Sequence, residues 1–336
     1  MKDVARMAGC SVMSVSLALR GSSEVSAELR EKIRALAKTA GYRPNPLVAA
    51  LVASRRKRTR EVIAVLTKFD EPIRSWKEPH EFYSDLHAGL VERADELGFL
   101  VEEFPVHGGH PPTGGQLTRI LRARGIRGVV LFPGGGLERD YPDCDWRHFT
   151  VVAAGFHARA TLPVHRTSTD YMEGMNACLT ELQKRDYRRI GFAFSHALDA
   201  NVGYTISGRY LAWREQQPRE MRVPLVSGWE VLPSRDNFVR WFRRYRPECV
   251  MTTDSAVMGW LREIGVRVPG EAGVVAVPVR HLTGHAGMDA RTHEVGRGTI
   301  NLLARELYLN HAGLPTTPEV SLIAGTWRDG ATVRWR

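Results

Sequence analysis

Residues 2–51 read KDVARMAGCSVMSVSLALRGSSEVSAELREKIRALAKTAGYRPNPLVAAL, and the spacing of their apolar positions and caps predicts three short helices. The first runs from about Lys2 to Ala8, with Val4, Ala5 and Ala8 on one face and Gly9 as a left-handed stop. Ser11 then supplies an N-cap, and Val15 and Leu19, four apart, give the second helix a buried stripe before Gly21 ends it. Ser26 caps the third helix, Glu28 and Glu31 suit its positive end, and Leu29, Ile33, Leu36, Ala37 and Ala40 line one side up to Gly41. A three-residue turn between the first two helices makes the segment a helix-turn-helix unit.

Charge points the same way. The 336 residues carry a formal net charge of +10, with 43% hydrophobic and 25% charged residues, ordinary for a globular protein. Residues 1–60 hold 13 of the 47 basic residues and only 4 of the 37 acidic ones, so nearly all the excess charge sits there. A small basic module ahead of a near-neutral body is the footprint of a nucleic-acid-binding head. A basic solvated tail would carry the same charge but would lack helical periodicity and caps. No apolar run approaches the roughly 20 residues of a membrane span, and no signal-peptide pattern opens the chain, so a cytoplasmic protein is expected. Cys10, Cys144, Cys178 and Cys249 form no metal-ligand or disulfide pattern, which fits a reduced compartment.

The quoted stretch resembles the headpiece of the lactose-repressor (LacI/GalR) family, whose usual form is close to KDVAxxAGVSxxTVSxxLNG…VSxxTRxxVxxAxxxLGYxPNxxAxxL. The likeness covers about fifty residues, including the helix spacing and the GYRPNP junction. It implies that the second helix lies in the major groove of double-stranded DNA. Carried over by position, Ser11, Val12, Met13, Ser16, Leu17 and Arg20 then face DNA, joined by Tyr42 and Asn45. Ser11, Ser16 and Arg20 suit phosphates, whereas Val12, Met13 and Leu17 would read bases. Apolar readers pack on the thymine methyl and discriminate guanine poorly; many family members instead have arginine at the position of Leu17, and asparagine is usual at that of Arg20. Met13 and Leu17 share a different stripe from Val15 and Leu19, which favours the groove over the alternative that they belong to the headpiece core.

Pro44 ends the third helix, and Asn45 can cap a short one from Pro46 to about Ala53, too short to be stable alone. The resemblance implies a hinge helix that pairs with its mate in a homodimer and wedges Leu51 into the minor groove of a pseudopalindromic operator. The following SRRKRTR, with Arg55 and Arg56, fits phosphate binding, with a solvated linker as the alternative.

From Val62 onward strands and helices alternate. VIAVL (62–66), FLVEEF (99–104), GVVLFP (128–133), VVAAGF (151–156), RIGFAF (189–194), CVMTT (249–253) and GVVAV (273–277) read as strands, with helical stretches between them. This predicts an α/β core of doubly wound parallel sheets in two halves, with ligands bound where strand C-termini face one another. The same stretch resembles the family's periplasmic-binding-protein-like sensor on Asp170 with Gly174, RRIGFAF, Arg209 with Tyr210, RPECVMTTD, GVRVP and the ending AGLPTTPEVSLIAGTWRDGATV. The expected organisation is a headpiece at 1–43, a hinge and basic linker at 44–60, and a core at 61–336. Within the core, lobe 1 would span about 61–156 and 279–312, and lobe 2 about 157–278 and 318–336.

On that resemblance Arg209 grips effector oxygens and Thr253 lines the pocket, while Phe82 and Tyr83 can stack on a ring. A structural salt bridge is the equal alternative for Arg209, and Asp170 and Asp254 read as structural. Pro278 and Val279 stand where the family often has acidic sugar-binding residues, and Ala290 replaces a common glutamine, which puts an ordinary sugar in doubt. Gly134, Gly135 and Gly136 lack the Lys-Ser/Thr of a phosphate loop, and His107, His110, His281, His285 and His293 lack metal-ligand spacing. No cofactor and no enzyme activity are expected, since no nucleophile-base constellation is visible. The expectation is therefore a small-molecule-controlled repressor. The alternatives are a two-lobed binding protein and an effector-independent DNA-binding protein.

Overall fold

A computed structural model of the chain describes residues 2–19, 25–39, 60–77, 80–134, 141–155, 162–226, 234–278 and 284–335. Two compact units, residues 1–60 and 61–336, divide it.

The first unit holds α1 (Lys2–Ala8), α2 (Val12–Leu19) and α3 (Ala27–Thr39). Gly9, at φ +69°, lets the chain reverse after α1, so that Gly9 N donates to Arg6 O at 3.3 Å and Cys10 N to Ala5 O at 3.1 Å. Ser11 Oγ accepts from Ser14 N at 3.0 Å and Ser26 Oγ from Leu29 N at 3.3 Å, the caps expected for α2 and α3. Val4, Ala5, Ala8, Val15, Ala18, Val25, Ile33 and Ala37 are buried together. The described inward stripe of α2 is thus Val15 with Ala18. Leu17, assigned to the groove from helical phase, is half-buried and packs on the flank of this cluster. The miniature core is built largely of alanine and valine, so a leucine on the flank of α2 is long enough to reach it.

In the second unit β1 (Glu61–Thr67) leads through a 3-10 turn, Ile73–Ser75, to α4 (Glu81–Glu96) and β2 (Phe99–Pro105). Then come α5 (Gly114–Ala123), β3 (Gly128–Leu131), β4 (Thr150–Ala154), β5 (His165–Asp170) and α6 (Tyr171–Lys184). After these follow β6 (Ile190–Ala193), α7 (His196–Asn201), α8 (Thr205–Glu215), α9 (Arg235–Tyr245), β7 (Cys249–Thr252) and α10 (Ala256–Glu263). The chain closes with β8 (Gly273–Ala276), β9 (Ala286–Asp289), α11 (Thr292–Leu309), β10 (Val320–Ala324) and β11 (Thr326–Arg328).

One sheet has the order β10-β5-β4-β3-β1-β2 and is parallel throughout. The other has the order β11-β9-β8-β7-β6, parallel except that β11 runs against β9. Central strands buried on both faces explain the continuous apolar runs: Ile63, Val65, Val130 and Val152 meet α4 and α11 on one side, while Leu66, Val129 and Val151 meet Leu117 and Leu121 of α5 on the other. A capping box, with Thr113 Oγ1 accepting from Gln116 N and Gln116 Oε1 from Thr113 N, starts α5 at Gly114.

The lobe boundaries expected at 156/157, 279 and 318 are corrected. β5 pairs in the first sheet, β9 in the second, and β10 in the first, leaving only β11 in the second. The chain therefore changes lobe after Asp170, after Asp289 and at Gly325. Polar HRTSTD gives no hydrophobic signal of a strand, and its membership is decided by hydrogen bonding to β4 and β10. The three crossings lie side by side: Thr169 Oγ1 donates to Ala290 O at 2.7 Å, and Gly325 N to Asp170 O at 3.4 Å. A Cβ on Gly325 would sit 3.1 Å from Gly174 Cα, 3.3 Å from Asp170 O and 3.5 Å from Asp289 O, so glycine is what lets them meet. Among the described residues no helix is long and apolar enough to cross a membrane.

Candidate nucleic-acid interface and effector cleft

On the headpiece, Ser11 is exposed at the start of α2, its hydroxyl 2.9 Å from that of Ser14. It is the cap of the helix, a structural duty not separated from phosphate contact by the sequence. Val12, Met13 and Ser16 lie on α2 by backbone, with side chains outside the described residues, as are Arg20, Tyr42, Asn45, Leu51, Arg55 and Arg56 altogether.

In the core, the crossings after β5, β9 and β10 all leave from strand C-terminal ends, so these ends of both sheets turn toward the junction between lobes. At the first sheet an aromatic cluster fills this edge. Phe69 follows β1 and packs edge-on to Trp76 (centroids 4.8 Å) and Tyr83 (5.0 Å), while Tyr83 meets Phe82 (5.2 Å), His80 (4.7 Å) and Phe132 (6.2 Å). Phe82 and Tyr83 are half-buried parts of this cluster. Gly134, at φ +115°, lies so close to the Phe69 ring that a Cβ would collide with it, which is the use of that glycine. Lys68, only 2% exposed, holds its ammonium 5.3 Å from the centroid of Tyr141, whose hydroxyl donates to Phe132 O. Burial pushes the Tyr141 phenol up.

Beneath the cluster is a buried carboxylate that the sequence did not single out. Glu103 of β2 accepts from Ile73 N at 2.5 Å and faces His87 Nε2 at 3.4 Å and Arg74 Nε at 4.0 Å. It ties the turn after β1 to α4. Burial lowers the His87 pKa below its ordinary value, opposed by the Glu103 charge and reinforced by Arg74.

At the second sheet, Arg209 on α8 is half-buried and donates from Nε to Asn176 Oδ1. It makes no ion pair among the described residues, and its two terminal nitrogens have no hydrogen bond there. Thr253, just past β7, has a buried Oγ1 without a partner among them. The structural readings of the two aspartates hold geometrically: Asp170 Oδ1 caps α6 through Glu173 N at 2.9 Å, and Asp254 Oδ1 accepts from Ala256 N at 2.9 Å. Phe82 and Tyr83 thus belong to one lobe edge, Arg209 and Thr253 to the other. Sequence reasoning passed over Asp199 on α7, fully buried, with Oδ1 accepting from Ser207 N at 3.3 Å and Oδ2 unpartnered. Burial raises its pKa. The one available signal was an acidic residue in the stretch just after a strand's C-terminal end.

A three-helix headpiece and a two-lobed α/β core with polar groups at the lobe junction define a chain of two units, a helix-turn-helix and a periplasmic-binding-protein-like fold. Residues 1–45 match the model of the family described as "Bacterial regulatory proteins, lacI family". The "HTH-type transcriptional regulator DegA" of Bacillus subtilis is 34% identical over 97 residues, 29% of this chain and 25% of that protein. The "Maltose regulon regulatory protein MalI" of Escherichia coli is 33% identical over 141 residues, 41% of this chain and 36% of that one. The matches thus span well under half of these relatives. The lac repressor dimer bound to operator and the anti-inducer ONPF has the same fold, with a TM-score of 0.54, 18% identity, and coverage of 98% of this chain and 97% of that one.

Proposed function

We propose that the chain is a cytoplasmic, sequence-specific transcriptional repressor, not an enzyme. It acts as a homodimer on a pseudopalindromic operator and is controlled by a small molecule, a sugar or related metabolite, bound between the core lobes. One observation carries this reading: a capped helix-turn-helix with its own core, matching the lacI family model, stands on the same chain as a core whose two lobes are joined by three adjacent crossings. The operator-bound lac repressor dimer is a relative in fold and supports it.

In this reading the effector draws the lobes together about Asp170, Ala290 and Gly325, which alters the spacing at which a dimer presents its headpieces. Arg209 donates its terminal nitrogens to effector oxygens and Thr253 its hydroxyl. Phosphate contacts from Arg20, Arg55 and Arg56 and the Leu51 wedge make DNA affinity steeply salt-dependent. Selection of bound sequences from random duplex DNA, with and without a panel of metabolites, tests it. The expected result is one enriched pseudopalindrome whose recovery changes with one class of metabolite. No enrichment under any condition overturns the reading, and enrichment indifferent to every metabolite leaves an effector-independent DNA binder.

A further inference from the structure

The arginines of the core divide into two populations. Arg93, Arg124, Arg127, Arg185, Arg297 and Arg305 each face a carboxylate at 2.5–3.0 Å. At the N-terminal ends of β6 and β7, the end of the second lobe opposite the cleft, Arg188, Arg219, Arg243, Arg244, Arg246 and Arg334 are exposed and make no ion pair among the described residues. One hydrogen-bond network holds their segments together. Arg189 donates to Glu220 O and Tyr245 O, Glu248 N donates to Arg189 O at 2.7 Å, and Arg334 N donates to Tyr187 Oη at 2.9 Å with its guanidinium 4.5 Å from the Tyr187 centroid. Of the carboxylates near these segments, Glu215 is held by Arg214 and Arg222, Glu271 by Arg267, and Glu248 Oε2 accepts from Arg188 N at 2.7 Å, which leaves Asp186 and Glu220. The negative end of α9 accounts for Arg243 and Arg244 in its last turn and for Arg246 at its C-cap, but not for Arg188, Arg219 or Arg334.

We propose that this end of the second lobe is an anion-binding face for the phosphate backbone of nucleic acid, separate from the headpiece and from the effector cleft. Arginine, planar and five-fold donating, suits phosphate oxygens. Trp335 stands 74% exposed beside Arg334, where a bound duplex would pass. A stable protein interface would need an apolar centre, and Trp335 is the one exposed large apolar side chain on these segments. A nucleic-acid backbone therefore fits better than an acidic protein. A regulator with such a face holds a second stretch of nucleic acid while its headpieces hold the first.

The test uses the full chain with the photo-crosslinking residue p-benzoylphenylalanine at position 335, or at position 308 on the other lobe as control, and a labelled 30-base-pair duplex of random sequence. Irradiation at low salt is expected to crosslink from 335 and not from 308. The yield should fall about tenfold or more at 0.5 M NaCl, and comparably when Arg188→Gln, Arg243→Gln and Arg244→Gln are combined. Equal yields at the two positions, or a yield that ignores the triple substitution, overturn the proposal. So does displacement by polyglutamate as effective, charge for charge, as by unlabelled duplex, since that marks an acidic protein partner. Headpiece binding followed by mobility shift in the same samples separates this outcome from failure of the repressor reading.

Discussion

Single side chains here have duties that only their partners reveal. Arg209 keeps its terminal nitrogens unbonded among the described residues, so Arg209→Ala is expected to abolish the effector-dependent thermal shift while leaving dimer size unchanged by sedimentation. A retained shift would remove it from the pocket. His87 shows how burial sets a proton equilibrium. Its folded pKa lies below the ordinary 6.5, so the unfolded chain takes up the proton first, and stability present above that value is lost as pH falls through it. Replacing His87 with Gln should therefore flatten the decline in denaturation midpoint between about pH 7.5 and 5. Ser11 and Ser26 could be read directly as caps, because a hydroxyl just ahead of an apolar-periodic run has one obvious acceptor role. Leu17 could not, since the reach of a flexible side chain depends on the size of the core beside it.

Among elements, the pair α4 and α11 shows how closely this fold is packed. A Cβ on Gly89 would collide with the His293 carbonyl, and one on Gly296 with that of Leu86. Two backbones in contact cannot make room as a side chain can, so Gly89→Ala or Gly296→Ala should each cost about 1–3 kcal/mol or more, read as a fall in chemical denaturation midpoint. The cross-helix ties Thr292 Oγ1 and His293 N to Asp85, and Arg297 to Glu92 and Glu96, would be lost with them. Most of the strands with apolar runs were legible, because an apolar run of four to seven residues between turns has few other uses in an α/β chain. Polar β5, short β9 and edge β10 were not assigned to their sheets, since edge and linker strands need no hydrophobic face, whereas β11 falls in the second lobe as expected.

For the whole molecule, the expected behaviour turns on the three crossings. Gly325→Val would push apart Gly174, Asp170 and Asp289. Hydrogen exchange should then rise around Thr169 and Ala290 and the effector-induced shift should shrink, while headpiece affinity for random duplex stays as it was. A variant that kept full effector response would place lobe movement elsewhere. The two-part organisation itself was legible from charge and cap spacing, because residues 1–60 carry both the excess charge and a helical pattern of their own.

What the amino-acid order determined unaided was local or nearly so: the caps, the stop at Gly9, the apolar strands, and the basic head on a near-neutral body. These depend on neighbours a few residues away, whose physics a chain displays in its own spacing. Tertiary structure alone decided which lobe β5, β9 and β10 serve, that Glu103 and Asp199 are buried carboxylates, that Leu17 leans on the headpiece core, and that six arginines with no ion pair among the described residues gather at one end. Most of those rest on contacts between residues tens or hundreds of positions apart, which no local pattern records.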